Sequence, residues 1–257
     1  MRLWKTSEQR SLDASSGTSL TAPPTLVLVP GAWHGPWALE PLAAKLADIG
    51  IDSKTVTTAS LDGKDKRGIP ADVQATIEVI EDCPGDVVLV GHSYSGVVIT
   101  EAGAHERVKH LVYLAAFMPK TNETANGQIL RALVRNPFAK TLAPAMSVLP
   151  GDKTLLQLNP ELAAKHLYGD CDARSVQHAQ ANLQLHNRNV FEQSPKVAAW
   201  ENTPSTYIVC KQDKAIPPKL QKKLAKRANR TIELDTSHSP FYSDTIGLSA
   251  ILAEIVG

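Results

Sequence analysis

Apolar residues recur along this chain in two alternating patterns. Short runs rich in β-branched residues predict buried strands, and longer stretches with apolar residues on one face predict amphipathic helices. The predicted strands are residues 25–29, 51–58, 87–90, 110–116, 205–210 and 231–234. Because helical patterns lie between them, the sequence predicts an α/β fold with a mostly parallel sheet of about six strands, flanked by helices on both faces.

The alternation stops between residues 118 and 195. This stretch contains helical segments at 160–166 and 172–183 and no clear strand. Insertions above the carboxyl end of a sheet commonly form lids over a substrate pocket. We therefore predict a small, mainly helical cap at 118–195, inserted after the fourth predicted strand, and one core formed by residues 23–117 and 196–257.

The first 22 residues are rich in Ser and Thr and contain no apolar segment of signal-peptide length. We interpret them as a flexible polar leader. No stretch reaches the roughly 20 apolar residues of a membrane helix. The three cysteines lack metal-ligand spacing, so neither a disulfide framework nor a metal site is predicted. These features predict a cytoplasmic protein with no membrane association.

Charge is balanced, with 27 basic residues against 26 acidic residues and a formal net charge of +1. This balance argues against a nucleic-acid partner. We interpret the single basic cluster as a solvated helix face, formed by Lys222, Lys223, Lys226 and Arg227. The expected partner is a small molecule, and the oligomeric state stays open, with a homodimer as one option.

The motif Gly-His-Ser-Tyr-Ser-Gly at residues 91–96 lies between a predicted strand and an apolar helix. A strand, a tight turn and a helix with this spacing are typical of a nucleophile elbow, which exposes its central serine at the end of a sheet. Small residues at the flanking positions let the neighbouring backbone come close. Ser93 is therefore the candidate nucleophile.

A serine hydroxyl needs a base to remove its proton, and that base needs an acid to orient it. In this fold the expected order is Ser, then Asp or Glu, then His, each after a strand. Asp213 directly follows the fifth predicted strand, and His238 follows the sixth. Both would lie with Ser93 at the carboxyl edge of the sheet, where open α/β sheets bind ligands.

Other residues compete for these roles. His92 is the rival base, although we expect the tight turn to pack it beside the serine. His34 lies in the first loop and is expected to order that loop. Asp235 is the rival acid, but it precedes His238 by only three residues and would have to bend back sharply.

Negative charge that develops on a substrate carbonyl needs hydrogen-bond donors. The expected donors are the backbone N–H of Tyr94, which follows the nucleophile, and one from the loop after the first strand. Ala32 is the candidate in that loop, where Gly31 permits close approach of the backbone. This chemistry requires no cofactor and no metal.

Across nearly all of residues 23–257 the chain resembles the α/β-hydrolase superfamily. It is most similar to the branch of plant methyl-ester esterases, hydroxynitrile lyases and bacterial pyrethroid-type carboxylesterases. The matching motifs are Pro30-Gly-Ala-Trp-His-Gly35, the elbow at 91–96, Asp213-Lys-Ala-Ile-Pro217 and Ser237-His-Ser-Pro-Phe241. The resemblance implies a Ser93–His238–Asp213 triad with Ala32 and Tyr94 as oxyanion donors.

Two positions distinguish the branches. The lyases of this family place a threonine in the first loop and a lysine after the catalytic histidine, whereas this chain has Ala32 and Ser239 there. The leading hypothesis is therefore a serine carboxylic-ester hydrolase that acts on small-molecule esters through an acyl-enzyme. The alternatives are a hydroxynitrile lyase-like carbon–carbon lyase and a non-catalytic small-molecule receptor of the same fold.

Overall fold

A six-stranded parallel sheet forms the centre of the structure, a computed structural model that describes residues 23–257. The predicted leader at residues 1–22 lies outside the described residues. The strand order is β2-β1-β3-β4-β8-β9, and every neighbouring pair is parallel. The bounds are β1 Thr25–Val29, β2 Ser53–Thr55, β3 Val87–His92, β4 Val108–Leu114, β8 Ser205–Cys210 and β9 Arg230–Leu234. The predicted α/β architecture with a parallel sheet of six strands is confirmed, although the second strand is shorter than predicted.

Helices cover both faces of this sheet. Within the core segments they are α1 Glu40–Asp48, α2 Ile69–Glu81, α3 Ser95–Ala102, α7 Pro218–Ala225, α8 Pro240–Ser243 and α9 Thr245–Val256. Among residues 23–257, no helix has both the length and the apolar character needed to cross a membrane.

The alternation of side chains along each strand explains why the sheet has an apolar core on each of its two faces. In β1, Leu26 and Leu28 pack with Leu42 of α1 and Leu252 of α9, on one face of the sheet. Their neighbours Val27 and Val29 pack in the other core, which contains residues of α2, α3 and α7. Successive side chains of a strand point to opposite faces, so continuous apolar runs are needed when both faces are covered.

The chain order reverses beside β1. From β1 the chain first adds β2 on one side and then crosses over to add β3 on the other. Ligands of open α/β sheets bind at such a reversal, beyond the carboxyl ends of the two strands. The loop that contains Ala32 follows β1, and Ser93 follows β3. The topology therefore puts both at the place where a ligand is expected.

The segment 118–195, called the cap segment below, corrects one sequence prediction. It contains helices, as predicted, but also a three-stranded antiparallel sheet, of which the sequence pattern gave no clear sign. Its elements are α4 Ala125–Arg135, β5 Met146–Leu149, β6 Asp152–Leu158, α5 Pro160–Leu167, α6 Ala173–Asn182 and β7 His186–Asn187. Pro150 and Gly151 form the turn between β5 and β6, with Gly151 at φ 92°. Exposed residues in β5 and the brevity of β7 obscure the alternation that would reveal these strands.

Candidate active site

Ser93 occupies a tight turn between β3 and α3. Its φ of 56° lies in the left-handed region, which non-glycine residues rarely adopt. The backbone holds it there, because its amide donates to the Leu114 carbonyl at 3.1 Å and its carbonyl accepts from the Phe117 amide at 3.1 Å. Such a strained, well-supported residue at the end of a central strand is the geometry of a nucleophile elbow.

Two features of the motif make this turn possible. A Cβ on Gly96 would lie 1.9 Å from the Phe117 carbonyl oxygen, so only glycine fits beside this segment after β4. Ser95 is buried, and its hydroxyl donates to the Pro30 carbonyl in the loop after β1. The small residues of the elbow therefore bring the first loop against the candidate nucleophile.

His238 and Asp213 meet although they are 25 residues apart. The loop after β8 carries Asp213 and the loop after β9 carries His238, and His238 Nδ1 donates to Asp213 Oδ2 at 2.6 Å. Both side chains are buried. Because an ionised carboxylate only accepts, this contact places the proton of the neutral ring on Nδ1. The Nε2 lone pair is then available to accept a proton.

The carboxylate of Asp213 is fixed by further donors. Its Oδ1 accepts from the amides of Ala215 at 2.6 Å and Ile216 at 3.0 Å, and its Oδ2 accepts from Gln221 Nε2 at 2.7 Å. Gln221 is completely buried on α7. The sequence analysis did not identify Gln221. The pattern that could have revealed it is a polar side chain on the apolar face of a helix, next to Leu220 and Leu224.

The rival residues have other partners. His92 donates from Nε2 to the His238 carbonyl at 2.9 Å, and burial lowers its pKa well below the usual value, so it stays neutral. His34 contacts the Ala32 carbonyl at 2.7 Å through Nδ1 and the Tyr168 hydroxyl at 2.5 Å through Nε2. Asp235 is exposed and lies 3.5 Å from the ammonium of Lys211. None of the three replaces the His238–Asp213 pair.

The loop after β1 lies directly against the elbow. A Cβ on Gly31 would lie 2.8 Å from His92 Nδ1 and 3.0 Å from the Ser93 Cβ, so glycine permits this approach. Within residues 23–257, the amides of Ala32 and Tyr94 donate to no protein acceptor. Buried amides without a partner are costly, and a substrate oxygen is one way to satisfy them.

A cavity of about 140 Å³ opens onto these residues. Ser93, Ala32 and Tyr94 line it from the core, together with Phe117 and Ile216. Its other wall is mainly apolar and comes from the cap segment, with Asn126, Ile129, Thr141, Leu142, Ala143, Met146 and Phe191. The cap segment therefore determines which substrate groups fit beside Ser93.

A buried hydrogen-bond network supports the elbow from behind. Asp72 of α2 accepts from the Tyr94 hydroxyl at 2.8 Å and from the Ser60 amide and hydroxyl at 2.8 and 2.6 Å. His186 of β7 extends it, with Nε2 3.4 Å from the Ser60 hydroxyl and Nδ1 3.5 Å from the donating Trp33 amide. Burial lowers the pKa of His186 to about 3, so its neutral ring can accept at Nδ1 and donate at Nε2.

This network connects the two candidate oxyanion donors through neighbouring groups. Tyr94 carries one of the free amides itself, and Trp33 directly follows Ala32. Sequence reasoning did not find Asp72, Ser60 or His186. A charged side chain in the first turn of an apolar helix was a weak signal for Asp72, and nothing local marked the other two.

We expect Tyr94→Phe to lower the free energy of unfolding by about 1–3 kcal/mol, because the buried Asp72 carboxylate loses a donor. Equilibrium unfolding in urea measures this change. Tyr113→Phe is the matched control, since Tyr113 is equally buried and its hydroxyl pairs with the neutral Thr100 hydroxyl at 2.9 Å. A loss in Tyr94→Phe no larger than in Tyr113→Phe would contradict the special role of the Asp72 contact.

Curated relatives resemble the chain over most of its length. The alpha/beta hydrolase nvfD of Aspergillus novofumigatus is 27% identical over 238 residues, covering 86% of this chain and 92% of the relative. Methylesterase 1 of Arabidopsis thaliana is 26% identical over 258 residues, covering 89% and 94%. The carbendazim hydrolyzing esterase of a Nocardioides species is 36% identical, over 118 residues that cover 42% of this chain and 48% of the relative.

Solved structures share the fold. Polyneuridine aldehyde esterase superposes with a TM-score of 0.78 at 19% identity, covering 92% of this chain and 100% of that one. A pyrethroid hydrolase of Sphingobium faniae gives 0.75 at 18% identity, covering 91% and 97%. The structures show the same fold, and the methylesterase and the carbendazim esterase among the curated relatives agree with the suspected branch. The sequence model of the alpha/beta hydrolase family matches residues 26–248, and the chain is therefore a member of the alpha/beta hydrolase family.

Proposed function

We propose that this protein is a serine carboxylic-ester hydrolase that uses Ser93, His238 and Asp213. The observation that carries the proposal is that Ser93, Ala32 and Tyr94 line the same cavity. The amides of Ala32 and Tyr94 have no acceptor within the described residues. The His238–Asp213 contact of 2.6 Å supplies a base of defined orientation at the same sheet edge. The relatives named esterases support the same chemistry.

In the proposed reaction, Ser93 Oγ attacks the ester carbonyl carbon and His238 Nε2 accepts the hydroxyl proton. The amides of Ala32 and Tyr94 donate to the oxyanion of the tetrahedral intermediate. The intermediate collapses when His238 gives its proton to the leaving alcohol, and an acyl-Ser93 ester remains. Water then attacks that ester, with His238 again as base, and releases the acid and free Ser93.

The cavity limits the size of the group bound beside Ser93. Its volume of about 140 Å³ is close to that of an apolar cavity that holds benzene, about 150 Å³. Ile129, Leu142, Met146 and Phe191 provide mainly apolar contacts. We therefore expect the protein to hydrolyse esters that have one compact apolar group, of about the size of a single aromatic ring, on the side of the carbonyl that enters the cavity.

The second candidate is a carbon–carbon lyase on the same scaffold. Norfluorocurarine synthase 2 of a Strychnos species, 27% identical over 251 residues, is one relative whose name is not that of an esterase. Against a cyanohydrin lyase, Ala32 lines the cavity where the lyases have a threonine, and Ser239 is buried where they have a lysine. Ser239 has no ammonium to offer a cyanide leaving group.

A substrate panel tests the proposal. We expect the protein to hydrolyse methyl and aryl esters of acetate and benzoate and to leave mandelonitrile intact. The rate of hydrolysis should fall sharply with naphthoate esters. An aryl phosphonate ester should add one phosphonyl group per chain, mapped to Ser93 by peptide mass spectrometry. A folded protein that hydrolyses none of these esters and takes up no phosphonyl group would overturn the proposal. Cleavage of mandelonitrile alone would establish the lyase instead.

A further inference from the structure

A second and larger cavity lies between α4 of the cap segment and α7 of the core. Its volume is about 500 Å³, within the usual range of small-molecule sites. It shares no lining residue with the cavity at Ser93. Segment 213–217 separates the two, because Ala215 and Ile216 line the Ser93 cavity while Asp213 and Pro217 line the larger one. We call the larger cavity the α4–α7 cleft.

Much of the α4–α7 cleft is apolar. The contributing side chains are Ala132, Ala139, Pro217, Pro218, Leu220 and Leu224. A compact hydrocarbon or aromatic group that packs on this surface gains free energy by leaving water. The apolar surface alone, however, does not select a ligand.

Positive charge selects the ligand class. Six cationic side chains line the α4–α7 cleft, namely Arg131, Arg135, Lys140, Lys219, Lys223 and Arg227. Lys219 and Lys223 share one face of α7, and Arg227 follows in the turn after the helix. These three line the α4–α7 cleft, whereas Lys222 and Lys226 do not. Arg131 and Arg135 likewise share one face of α4.

The carboxylates of the α4–α7 cleft are already paired. Glu123 accepts from Arg227 at 2.6 and 3.1 Å and lies 3.3 Å from Arg131, while Asp213 binds His238. Partial burial acts to raise the pKa of Glu123, but the bonds from Arg227 prevail and lower it to about 2. Both carboxylates are therefore already engaged by partners within the described residues.

The remaining cations of the cleft have no such partner in the part of the chain that the structure describes. Within residues 23–257, no carboxylate lies within salt-bridge distance of Arg135, Lys140, Lys219 or Lys223. We propose that the α4–α7 cleft binds an amphipathic organic carboxylate, whose apolar body packs on Leu220 and Leu224 and whose carboxylate pairs with Arg135 and Lys223. Arginine suits this role because its guanidinium can bind a carboxylate with two parallel hydrogen bonds. This binding site is separate from the Ser93 cavity, and binding there does not depend on ester hydrolysis.

Isothermal titration of the full chain with 2-naphthoate tests the proposal. We expect saturable binding of one 2-naphthoate per chain, weakened by added salt because the cations are exposed. The neutral 2-naphthamide should bind at least about tenfold more weakly, and so should 2-naphthoate to Arg135→Glu/Lys223→Glu. Circular dichroism checks that each variant is folded, and Arg135→Gln/Lys223→Gln gives a milder change in the same direction.

Two control variants locate the binding. Lys222→Glu/Lys226→Glu makes the same change in net charge, on α7 and at its C-cap, outside the α4–α7 cleft, and should leave the affinity unchanged. Ile129→Trp obstructs the Ser93 cavity and should also leave it unchanged. The proposal is overturned if 2-naphthoate does not bind or if both double charge reversals weaken its binding equally. It is also overturned if the single substitution Ile129→Trp abolishes binding.

Discussion

Ser93→Ala is expected to reduce kcat/KM for ester hydrolysis by about 10⁴-fold or more, the scale found when the nucleophile of a working triad is removed. Alanine has no oxygen to attack the carbonyl, so no acyl-enzyme can form. The amides of Ala32 and Tyr94 remain, and a small residual rate from oxyanion binding is expected. Initial rates on phenyl acetate, with the background hydrolysis subtracted, measure the effect.

Ser239→Ala is the matched control for that substitution. Ser239 is buried beside His238, and its hydroxyl has no hydrogen-bond partner within the described residues. Removing it therefore breaks no bond, and we expect a change in kcat/KM of less than about threefold. If Ser93→Ala lowered the rate no more than Ser239→Ala does, Ser93 would not be the nucleophile.

Asp213→Asn is expected to reduce kcat by about 10³–10⁴-fold with a much smaller change in KM. The carboxylate accepts from His238, Gln221 and two backbone amides, whereas a carboxamide brings two N–H groups into a site composed of donors. His238 then loses the acceptor that keeps its proton on Nδ1, and Nε2 is no longer reliably free to act as base. Steady-state kinetics over a range of ester concentrations separate kcat from KM.

Asp235→Asn is the control for this change, because Asp235 is the other acid near His238 in sequence. Its side chain is 71% exposed and faces Lys211 across 3.5 Å, which makes it a solvated surface pair. We expect less than about a twofold change in kcat. A larger loss in Asp235→Asn than in Asp213→Asn would reverse the assignment of the orienting acid.

The central sheet was predictable because its signals are local. β1, β3 and β8 are uninterrupted or nearly uninterrupted apolar runs, and β4 ends in one. β9, at the edge of the sheet, has apolar residues only at Ile232 and Leu234. The helices between the strands have a clear apolar face. The sequence prediction overextended β2, which pairs only over Ser53–Thr55. It also did not identify the hairpin of β5 and β6, whose one local sign was the Pro150-Gly151 turn.

The candidate site was predictable where residues are defined by their position after a strand. Ser93 follows β3, Asp213 follows β8 and His238 follows β9, so the parallel sheet alone brings them to one edge. Gln221 and Asp72 are different, because their importance comes from partners on other elements. In the cap segment, apolar character alone does not identify the pocket residues, because Phe138, Leu155 and Leu158 are apolar and do not line the Ser93 cavity.

The sequence by itself determined the α/β architecture, the elbow and the order of the candidate catalytic residues. These depend on periodicity, on turn residues and on spacing, all of which are properties of neighbouring positions. Only the tertiary structure decided which cap residues enclose Ser93, and it alone brought His186 within 3.5 Å of Trp33 across 153 residues. It also divided the basic cluster of residues 222–227, because Lys223 and Arg227 line the α4–α7 cleft and Lys222 and Lys226 do not. Contacts between distant segments leave no periodic trace in the chain, because they arise from how whole elements pack against one another.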